Sequence, residues 1–297
     1  MSEPVGERTR RVDVSVVVPA HNAARFVGEQ LGALAAQEVD RTWEVVVVDD
    51  GSTDALRAAV AAWSGRLPAL QLTVLRRRCG ASAARNCGAE AARGNLLLYC
   101  DADDVVAPGW VAAMAEAAEG ADLVGGFVDG ALLNKGDAAR RRRPYPADRL
   151  PLLLDFLPYA TSANFGIGAA TLARLGGWND AFWVGGDAEL CWRAQLAGCS
   201  LAFVREAVVH YRHRASTWGA VRQQFAWGQA DPLLHREFRA AGCRRRSVPR
   251  MAGSLAKVVL TAPAVVTGDD RRSEWLRRTA LLAGRAVGSA RVRSLYL

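Results

Sequence analysis

Residues 44–54 read EVVVVDDGSTD: four successive valines run into two aspartates, a glycine and a group of small polar residues. A β-branched run this short, closed by turn-forming residues, is typical of a strand buried on both faces and is too short for a helix. Ser52, Thr53 and Asp54 offer side-chain oxygens that cap helix N-termini, so we expect a helix to follow and to end near Trp63. The stretch predicts a strand that ends in carboxylates and leads into a helix.

The same alternation extends on both sides of this stretch. A second β-branched run, VSVVV at 14–18, is closed by Pro19. We predict strands at 14–18, 44–48, 70–75 and 95–100, and helices at about 24–37, 54–63 and 81–92. Strands that alternate with helices form a parallel sheet covered by helices, and such sheets bind ligands at the carboxyl ends of their strands.

A second compact region is predicted from about Leu152 to Arg214, with a helix at about 187–197 and a strand at 201–209. The residues between the two regions, 129–150, turn polar and include the run Arg140–Arg143. Polar and charged runs of this kind are typical of loops, so we expect a mobile excursion there.

The composition is that of a globular protein. The chain has 297 residues, of which 51% are hydrophobic and 23% charged, and this excludes a collagen-like or wholly disordered chain. No apolar stretch reaches the roughly 20 residues of a membrane-spanning helix, and the first residues carry charges where a signal peptide has its apolar core. Six cysteines lack any C-x-x-C pair, so we expect them to be reduced and the protein to be cytoplasmic.

The basic charge is concentrated near the C-terminus. Residues 1–218 carry 23 Lys+Arg and 25 Asp+Glu, whereas 219–297 carry 15 and 5. Within the basic part, 274–287 places Trp275 and several leucines among arginines, as an interfacial helix would. This favours peripheral attachment to an anionic membrane surface, at the inner face of the cell membrane. A structural helical cap and a dimer contact are the alternatives. Nucleic-acid binding is not predicted, because no recognised nucleic-acid module accompanies the charge.

Asp101 and Asp103 follow the fourth predicted strand as an Asp-x-Asp pair. Carboxylates at i and i+2 of an extended segment project to the same side, where they repel each other. A divalent cation that bridges them to phosphate oxygens is the usual solution, although aspartates are also common as helix caps and turn residues. A ligand site and a purely structural turn both remain open on this pattern alone.

Four segments occur in a recognisable order. They are SVVVPAHN, EVVVVDDGSTD, GASAARNCGAEAARGNLLLYCDADD and GGDAELCWRAQLAGCSLAFVREAVVHYRHR, and together they span about residues 14–214. In this order they resemble the family 2 glycosyltransferases of the GT-A fold. The resemblance implies a Rossmann-like, mixed but mostly parallel α/β sheet flanked by helices, with a C-terminal helical extension. It also implies transfer of a sugar from a nucleoside diphosphate donor with inversion, assisted by a divalent metal, Mn or Mg.

The resemblance also implies roles for residues near the donor. Pro19, Ala20 and Asn22 would line the base-and-ribose site, Asp50 would bind the base edge, and Arg85 would lie against the nucleotide or its phosphates. Asp101 would contact the ribose and a metal-bound water, and Asp103 would bind the metal directly. A planar guanidinium suits the anionic ligand expected beside Arg85, although a solvated helix charge is the alternative.

Asp187 lies where the family has its proposed catalytic base. The family usually reads Glu-Asp at this place, but here the glutamate position is Gly186, so the companion carboxylate is missing. We expect Asp187 to take the proton of the acceptor hydroxyl, with Glu189 two residues later close enough to assist or to meet the acceptor. In the structural alternative Asp187 only caps the helix that follows.

By the same resemblance His210, after the last predicted strand, is the second metal ligand, and His213 is the competing assignment. Arg212 and Arg214 would meet the departing diphosphate, unless they belong to an exposed basic loop. The segment of Trp178, Asn179 and Asp180 would face the acceptor, where the indole would stack on a sugar ring if it is not buried in the core.

These predictions combine into a domain plan and a function. We expect a catalytic domain at 1–218, with a nucleotide-binding half at about 12–128 and an acceptor half at about 150–218, followed by a basic helical extension at 219–297. The acceptor would be lipid-linked or a glycan. A non-catalytic nucleotide-sugar or glycan binder is the main alternative, because Gly186 breaks the family pair. A sugar nucleotidyltransferase and a nicotinamide dehydrogenase are disfavoured, since PAHNAARF after the first strand is not a glycine-rich phosphate loop.

Overall fold

One mixed sheet forms the centre of the fold. The computed structural model describes residues 12–134, 146–263 and 269–296. Within these ranges eight strands lie in the order β3-β2-β1-β4-β7-β6-β8-β5, and only β7 and β5 run against the others. The strands are β1 Val12–Ala20, β2 Trp43–Asp50, β3 Leu70–Leu75, β4 Gly94–Tyr99, β5 Val105–Val106, β6 Leu123–Asp129, β7 Phe165–Gly168 and β8 Leu201–His210. The predicted mixed, mostly parallel sheet is confirmed.

Helices cover both faces of this sheet, as the alternating pattern predicts. They are α1 Val27–Ala35, α2 Leu56–Ala61, α3 Ala81–Ala91, α4 Trp110–Ala117, α5 Ala169–Arg174, α6 Gly186–Leu196, α7 Thr217–Phe238, α8 Val248–Leu260 and α9 Asp269–Val292. The predicted capping before α2 is only partly right. Asp54 Oδ1 accepts a hydrogen bond from Leu56 N at 3.2 Å, but Ser52 Oγ accepts one from Asn22 N in the neighbouring loop.

Burial explains why the valine runs form the middle of the sheet. All eight residues of β2 are buried, and β1 beside it is exposed only at Asp13 and partly at Pro19. Helices pack on both faces of these strands, so their side chains need no polar alternation. β3 lies at the edge of the sheet, and Leu72 and Val74 remain partly exposed there.

The direction of the strands gathers the chemistry-bearing loops at one edge. β1, β2, β4, β6 and β8 all end at this edge, whereas β7 begins there because it is antiparallel. The loops after β2 and β4 therefore lie on the same side of the sheet as the segment 161–164 that precedes β7. This carboxyl edge is where open α/β sheets bind ligands.

The segment 274–287, predicted as an interfacial helix, lies within α9. This helix packs along α7 with its glycine face turned inward. Contact of the segment with a membrane stays a prediction. An added Cβ at Gly228 of α7 would lie 2.2 Å from Leu281 O, and one at Gly284 of α9 would lie 2.2 Å from Phe225 O. Arg285 Nε also donates to Asp231 Oδ2 at 2.7 Å in a largely buried pair. Backbone contact this close commits one face of α9 to α7, while Leu276, Leu281 and Leu282 are half-buried and Val287 is 36% exposed.

Two further predictions concern the arginine run and membrane-spanning helices. The run Arg140–Arg143 lies outside the described residues. In the described ranges, no helix has the length and apolar character needed to cross a bilayer.

The glycine contact between α7 and α9 gives a stability prediction. Gly228→Ala should lower the free energy of unfolding by about 1–3 kcal/mol, because the new methyl group must push the two helices apart. Gly253→Ala in α8 is the matched control, since nothing lies within 4 Å of its added Cβ. The control should raise stability by up to about 1 kcal/mol through helix propensity alone. Urea unfolding of both variants measures the difference, and equal stability would contradict the packing described.

Candidate active site

The loop after β4 carries three aspartates in four residues, Asp101, Asp103 and Asp104. Gln30, fully buried on α1, fixes both ends of this loop: its Nε2 donates to Asp101 O at 3.2 Å, and its Oε1 accepts from Val106 N at 3.0 Å. The loop is therefore tied to the body of the domain, and its carboxylates are held close together.

Burial and the mutual repulsion of these carboxylates shift the pKa values of two of them. Burial and the negative charge of Asp101 raise the pKa of Asp103, against the lowering effect of Arg214. Burial and the same anionic neighbours raise the pKa of Asp104 well above its ordinary value. Anions packed in this way are stabilised by any cation that approaches them.

Arginines from the segment after β8 supply positive charge to the loop. Arg214 Nη1 lies 2.9 Å from Asp103 Oδ2, and Arg212 Nε donates to Asp103 O at 2.8 Å. The backbone N–H of Arg212 also donates to Asp104 Oδ1 at 2.7 Å. The structure thus brings the predicted phosphate-binding arginines to the predicted metal loop.

Arg85 on α3 links this loop to the predicted base. Its Nη2 lies 3.2 Å from Asp101 Oδ1, and its guanidinium carbon lies 5.0 Å from the centre of the Trp178 ring. Burial raises the pKa of Asp187, and the positive charge of Arg85 acts in the opposite direction. Arg85 is only 7% exposed, so it is an oriented charge facing the site and not a solvated helix residue.

The residues predicted to line the base-and-ribose site lie at the ends of β1 and β2. Pro19 and Ala20 close β1, and Asn22 follows with φ +51°, its Oδ1 accepting from Thr53 N at 2.8 Å. Asp50 is buried, and its two oxygens accept from Cys79 N at 2.6 Å and Gly80 N at 2.9 Å. Asp50 therefore orders the loop before α3, and its contact with a base remains a prediction.

Asp187 lies in the first turn of α6, half-buried, opposite the segment that precedes β7. Its Oδ1 accepts from Ala188 N at 2.9 Å and its Oδ2 from Ser162 N at 3.4 Å. Burial raises the pKa of Asp187, although these hydrogen bonds and Arg85 act in the opposite direction. A carboxyl with a raised pKa is a stronger base once it is deprotonated.

Gly186 has a steric explanation in this structure. Gly186 is buried, and an added Cβ would lie 2.9 Å from Ser82 Oγ, which donates to Phe182 O at 2.9 Å. A glutamate does not fit there without displacing Ser82. The glycine therefore accompanies a close contact between α3 and the start of α6.

His210 ends β8, directly beside Asp129 at the end of β6. Its Nδ1 lies 3.0 Å from Asp129 Oδ2. Burial raises the pKa of Asp129, but hydrogen bonds from the Ala131 backbone and from His210 outweigh it, and the net shift is downward. The competing residue His213 has its backbone N–H on Asn134 Oδ1 at 2.8 Å, and its ring packs edge-on to Tyr211. A carboxylate that accepts a hydrogen bond from one ring nitrogen orients the other toward a metal, so His210 keeps its predicted role as a proposal.

A divalent cation fits this loop if phosphate oxygens complete its coordination. Across the described ranges, no three His, Cys, Asp or Glu side chains converge to hold a metal by themselves. Mg²⁺ commonly uses one or two carboxylates together with substrate phosphates and water. Asp103 can supply one such carboxylate. The neighbouring Asp104 Oδ2 is buried without a hydrogen-bond partner in the described part of the chain. The donor set suits a cation that arrives with a diphosphate.

Two predicted acceptor contacts are wrong. Trp178 is only 2% exposed and packs edge-on against Tyr99 and Phe165, with ring centres 5.2 and 5.6 Å apart. Glu189 is also 2% exposed, and both its oxygens pair with Arg193, at 2.8 and 2.9 Å. Both side chains stabilise the core beneath the site and do not reach an acceptor.

The other two residues of that segment form its turn. Asn179 Oδ1 accepts from Ala181 N at 3.0 Å, and Asp180 is exposed, with its Oδ1 accepting from Asn86 Nδ2 at 3.2 Å. Their contact with an acceptor remains a prediction.

Sequence reasoning missed three residues of this region, Gln30, Asn86 and Trp183. Asn86, next to Arg85 on α3, donates to Trp178 O and accepts from Trp178 N, both at 2.8 Å. Trp183 is 58% exposed, and its ring lies against Gly80, where an added Cβ would be 3.3 Å away. Tryptophan is usually well buried, so an exposed indole beside the loop that Asp50 orders is informative. Neither the hydrogen bonds of the Asn86 amide nor the exposure of Trp183 can be recognised from the neighbouring sequence.

This arrangement places acidic and basic side chains together at the carboxyl edge of an α/β sheet, where such sheets bind ligands. Residues 15–175 match the model of the family described as Glycosyl transferase family 2. The chain belongs to this family, as the sequence resemblance predicted.

Individual proteins agree with this assignment. The chain is 28% identical over 222 residues to glycosyltransferase AglE of Haloferax volcanii, which covers 73% of this chain and 72% of AglE. It is 35% identical over 107 residues to dodecaprenyl-phosphate galacturonate synthase of Rhizobium johnstonii, covering 34% of this chain and 32% of that protein. Among solved structures, mannosyltransferase PcManGT from Pyrobaculum calidifontis, in complex with GDP-Man and Mn²⁺, is 22% identical with a TM-score of 0.60, covering 94% of this chain and 88% of that one. This last likeness shows the GT-A fold that the resemblance implied.

The amide of Asn86 gives a prediction about the site's framework. Asn86→Ala should lower the free energy of unfolding by about 1–3 kcal/mol, because the backbone N–H and C=O of buried Trp178 lose their partner. Asn95→Ala, at an exposed position on β4, should change it by no more than about 0.5 kcal/mol. Urea unfolding of both variants would test this. A loss no larger than that of the control would remove Asn86 from the framework.

Proposed function

We propose that the chain transfers a glycosyl group from a nucleoside diphosphate sugar to an acceptor hydroxyl, with inversion at the anomeric carbon and assistance from Mn or Mg. The observation that carries the proposal is the set of arginines held at the acidic loop. Arg85 pairs with Asp101 at 3.2 Å and Arg214 with Asp103 at 2.9 Å. Oriented guanidinium groups from two distant segments therefore lie at the predicted diphosphate end of the site. Membership of family 2 supports the same chemistry.

The donor would lie across the ends of β1 and β2. Its base and ribose would contact Pro19, Ala20 and Asn22, with Asp50 ordering the loop beneath them. The diphosphate would face Arg85 and the arginines after β8. Planar guanidinium groups bind phosphate in two-point contacts, and they stabilise the negative charge that grows as the phosphate leaves.

Asp103 and His210 would hold the divalent cation, together with the diphosphate of the donor, and Asp101 would contact the ribose and a water bound to the cation. When bound, the cation supplies positive charge that makes the nucleoside diphosphate a better leaving group. The chain's own part is to present Asp103 from a loop fixed by Gln30 and to hold His210 against Asp129. Positioning of this kind lowers the barrier by removing the entropy cost of bringing the groups together.

Asp187 would take the proton from the acceptor hydroxyl. The acceptor oxygen forms a bond to the anomeric carbon as the bond from that carbon to the phosphate oxygen breaks, and the nucleoside diphosphate leaves with the electron pair. The proton ends on the Asp187 carboxylate. Because burial raises the pKa of Asp187 above that of an ordinary aspartate, this base works above the raised pKa and is lost as the pH falls through it.

Substitution of the base and of the metal ligand should separate the two roles. Asp187→Asn should lower kcat about 10²–10⁴-fold, the contribution of a general base, without changing nucleotide binding. Asp103→Ala should abolish the Mn-dependent rise in Tm that a bound nucleoside diphosphate produces. Transfer is measured with radiolabelled donor, and Tm is measured with UDP and GDP, each with and without Mn.

Each outcome addresses one assignment. Normal turnover by Asp187→Asn would contradict its role as base, and an unchanged Mn-dependent shift in Asp103→Ala would contradict its role as metal ligand. If the unaltered chain binds nucleotide but neither transfers nor hydrolyses the donor, the chain is the non-catalytic binder that Gly186 made the main alternative.

The acceptor is proposed to be lipid-linked and presented at an anionic membrane surface. One relative is named for a reaction that involves dodecaprenyl phosphate, which is a lipid carrier. In this chain Trp183 replaces Trp178 as the proposed acceptor contact, because it is exposed and lies in the loop between the glycine turn and Asp187. Indole faces pack well against the apolar face of a sugar ring.

Replacement of Trp183 should affect the acceptor and spare the donor. Trp183→Ala should raise the KM for the acceptor about tenfold, the effect of losing an aromatic contact of roughly 1.4 kcal/mol, while the Kd for nucleotide stays constant. Trp183→Phe keeps an aromatic face and should recover most of the loss. Steady-state kinetics and nucleotide titrations of both variants measure this, and equal acceptor KM values in all three proteins would remove Trp183 from the acceptor site.

A further inference from the structure

The helix α8 exposes an apolar stripe along its whole length. Val248, Leu255 and Val259 are spaced by seven and four residues, so they share one face of the helix. They are 70%, 53% and 67% exposed, and Leu260 beside them is 78% exposed. No residue of α8 is buried. Helices in globular proteins usually turn such a stripe toward the core, so this one is free for a partner.

One flank of α8, next to the stripe, attaches the helix to the rest of the chain. The Trp275 indole N–H of α9 donates to Val258 O at 2.8 Å, and Arg246 Nη2 lies 3.1 Å from Ser254 Oγ. Met251, Ser254 and Val258 are half-buried on this side. These contacts hold α8 along one flank, and the apolar stripe beside that flank remains exposed.

Basic residues surround the stripe. Arg244 and Arg245 are exposed just before α8, and Lys257 is exposed within it. Arg271 and Arg272 are exposed one turn before Trp275, the residue that contacts α8. Residues 219–297 carry 15 Lys+Arg and 5 Asp+Glu. An apolar face rimmed by cations is complementary to a lipid surface with anionic headgroups.

We propose that α8 is a membrane-docking helix, with its apolar stripe inserted at the headgroup boundary of an anionic bilayer and the exposed arginines at 244, 245, 271 and 272 bound to the headgroups. The charge argues against a second copy of the chain as the occupant, because two such basic surfaces repel each other. The proposal replaces α9 by α8 as the interfacial element. Its purpose depends on the proposed membrane-borne acceptor, but its test uses no donor and no acceptor, so the two can fail separately.

Flotation of the full chain with vesicles tests the proposal. The chain should float with vesicles of phosphatidylcholine containing about 30 mol% phosphatidylglycerol in low salt, and much less with phosphatidylcholine alone or in about 0.5 M salt. Leu255→Glu with Val259→Glu should reduce the partition coefficient about tenfold or more. Arg244→Glu with Arg245→Glu should reduce binding to the anionic vesicles by a similar factor.

Leu196→Glu is the matched control. Leu196 ends α6 and is 49% exposed, close to the exposure of Leu255, but it lies outside the basic part of the chain. This variant should float like the unaltered chain. Thermal unfolding of all variants shows that each one is folded, since these positions are exposed and tolerate charge.

Three results would overturn the proposal. The first is an unaltered chain that stays unbound to anionic vesicles in low salt. The second is flotation of the Leu255 and Val259 double variant at the level of the unaltered chain. The third is a chain that does not bind vesicles but is dimeric by light scattering and becomes monomeric in the double variant, which would assign the stripe to a second copy.

Discussion

Repulsion among the carboxylates after β4 is the constraint on which the arrangement of the site depends. Asp101, Asp103 and Asp104 are held within one short loop. Burial makes the charges of Asp103 and Asp104 more costly than they would be in water. Arginines from distant segments contact these carboxylates and offset their charge. They are Arg85 on α3, and Arg212 and Arg214 after β8. The charge balance therefore joins the two halves of the sheet. The same excess of carboxylate also makes the loop suited to a further cation.

The strands were predictable because their signal is local. The valine run predicted at 44–48 extends to Trp43–Asp50, since the same register with β1 and β3 continues to both ends of the segment. The partners of buried polar groups were not predictable. In the sequence Gln30 and Asn86 are simply polar residues on helices, with nothing nearby that identifies their partners. Their hydrogen bonds join residues 71 and 92 positions apart in the chain. Such contacts exist only once the fold has formed.

The errors at the acceptor side have one physical origin. Position along a motif indicates the neighbourhood of a side chain but not its direction, and here the direction is set by the backbone. Gly176 and Gly177 both adopt positive φ, near 80°, and this turn sends Trp178 inward onto Tyr99 and Phe165. Five residues later Trp183 points outward over Gly80. Of the two tryptophans in this loop, Trp178 therefore belongs to the core and Trp183 is the exposed one.

The same distinction applies to the basic helices at the end of the chain. In sequence 274–287 was favoured as the interfacial helix because it mixes apolar residues with several arginines, whereas α8 has only Arg250 and Lys257 as basic residues. Glycines decide between them: α9 meets α7 backbone to backbone through Gly228 and Gly284, a contact available only where side chains are absent. Gly253 of α8 faces open space, so the helix gains nothing comparable and keeps its leucine and valine side chains exposed. Exposed apolar side chains of this kind are expected where a partner covers them, and the nearby cations indicate that the partner is anionic.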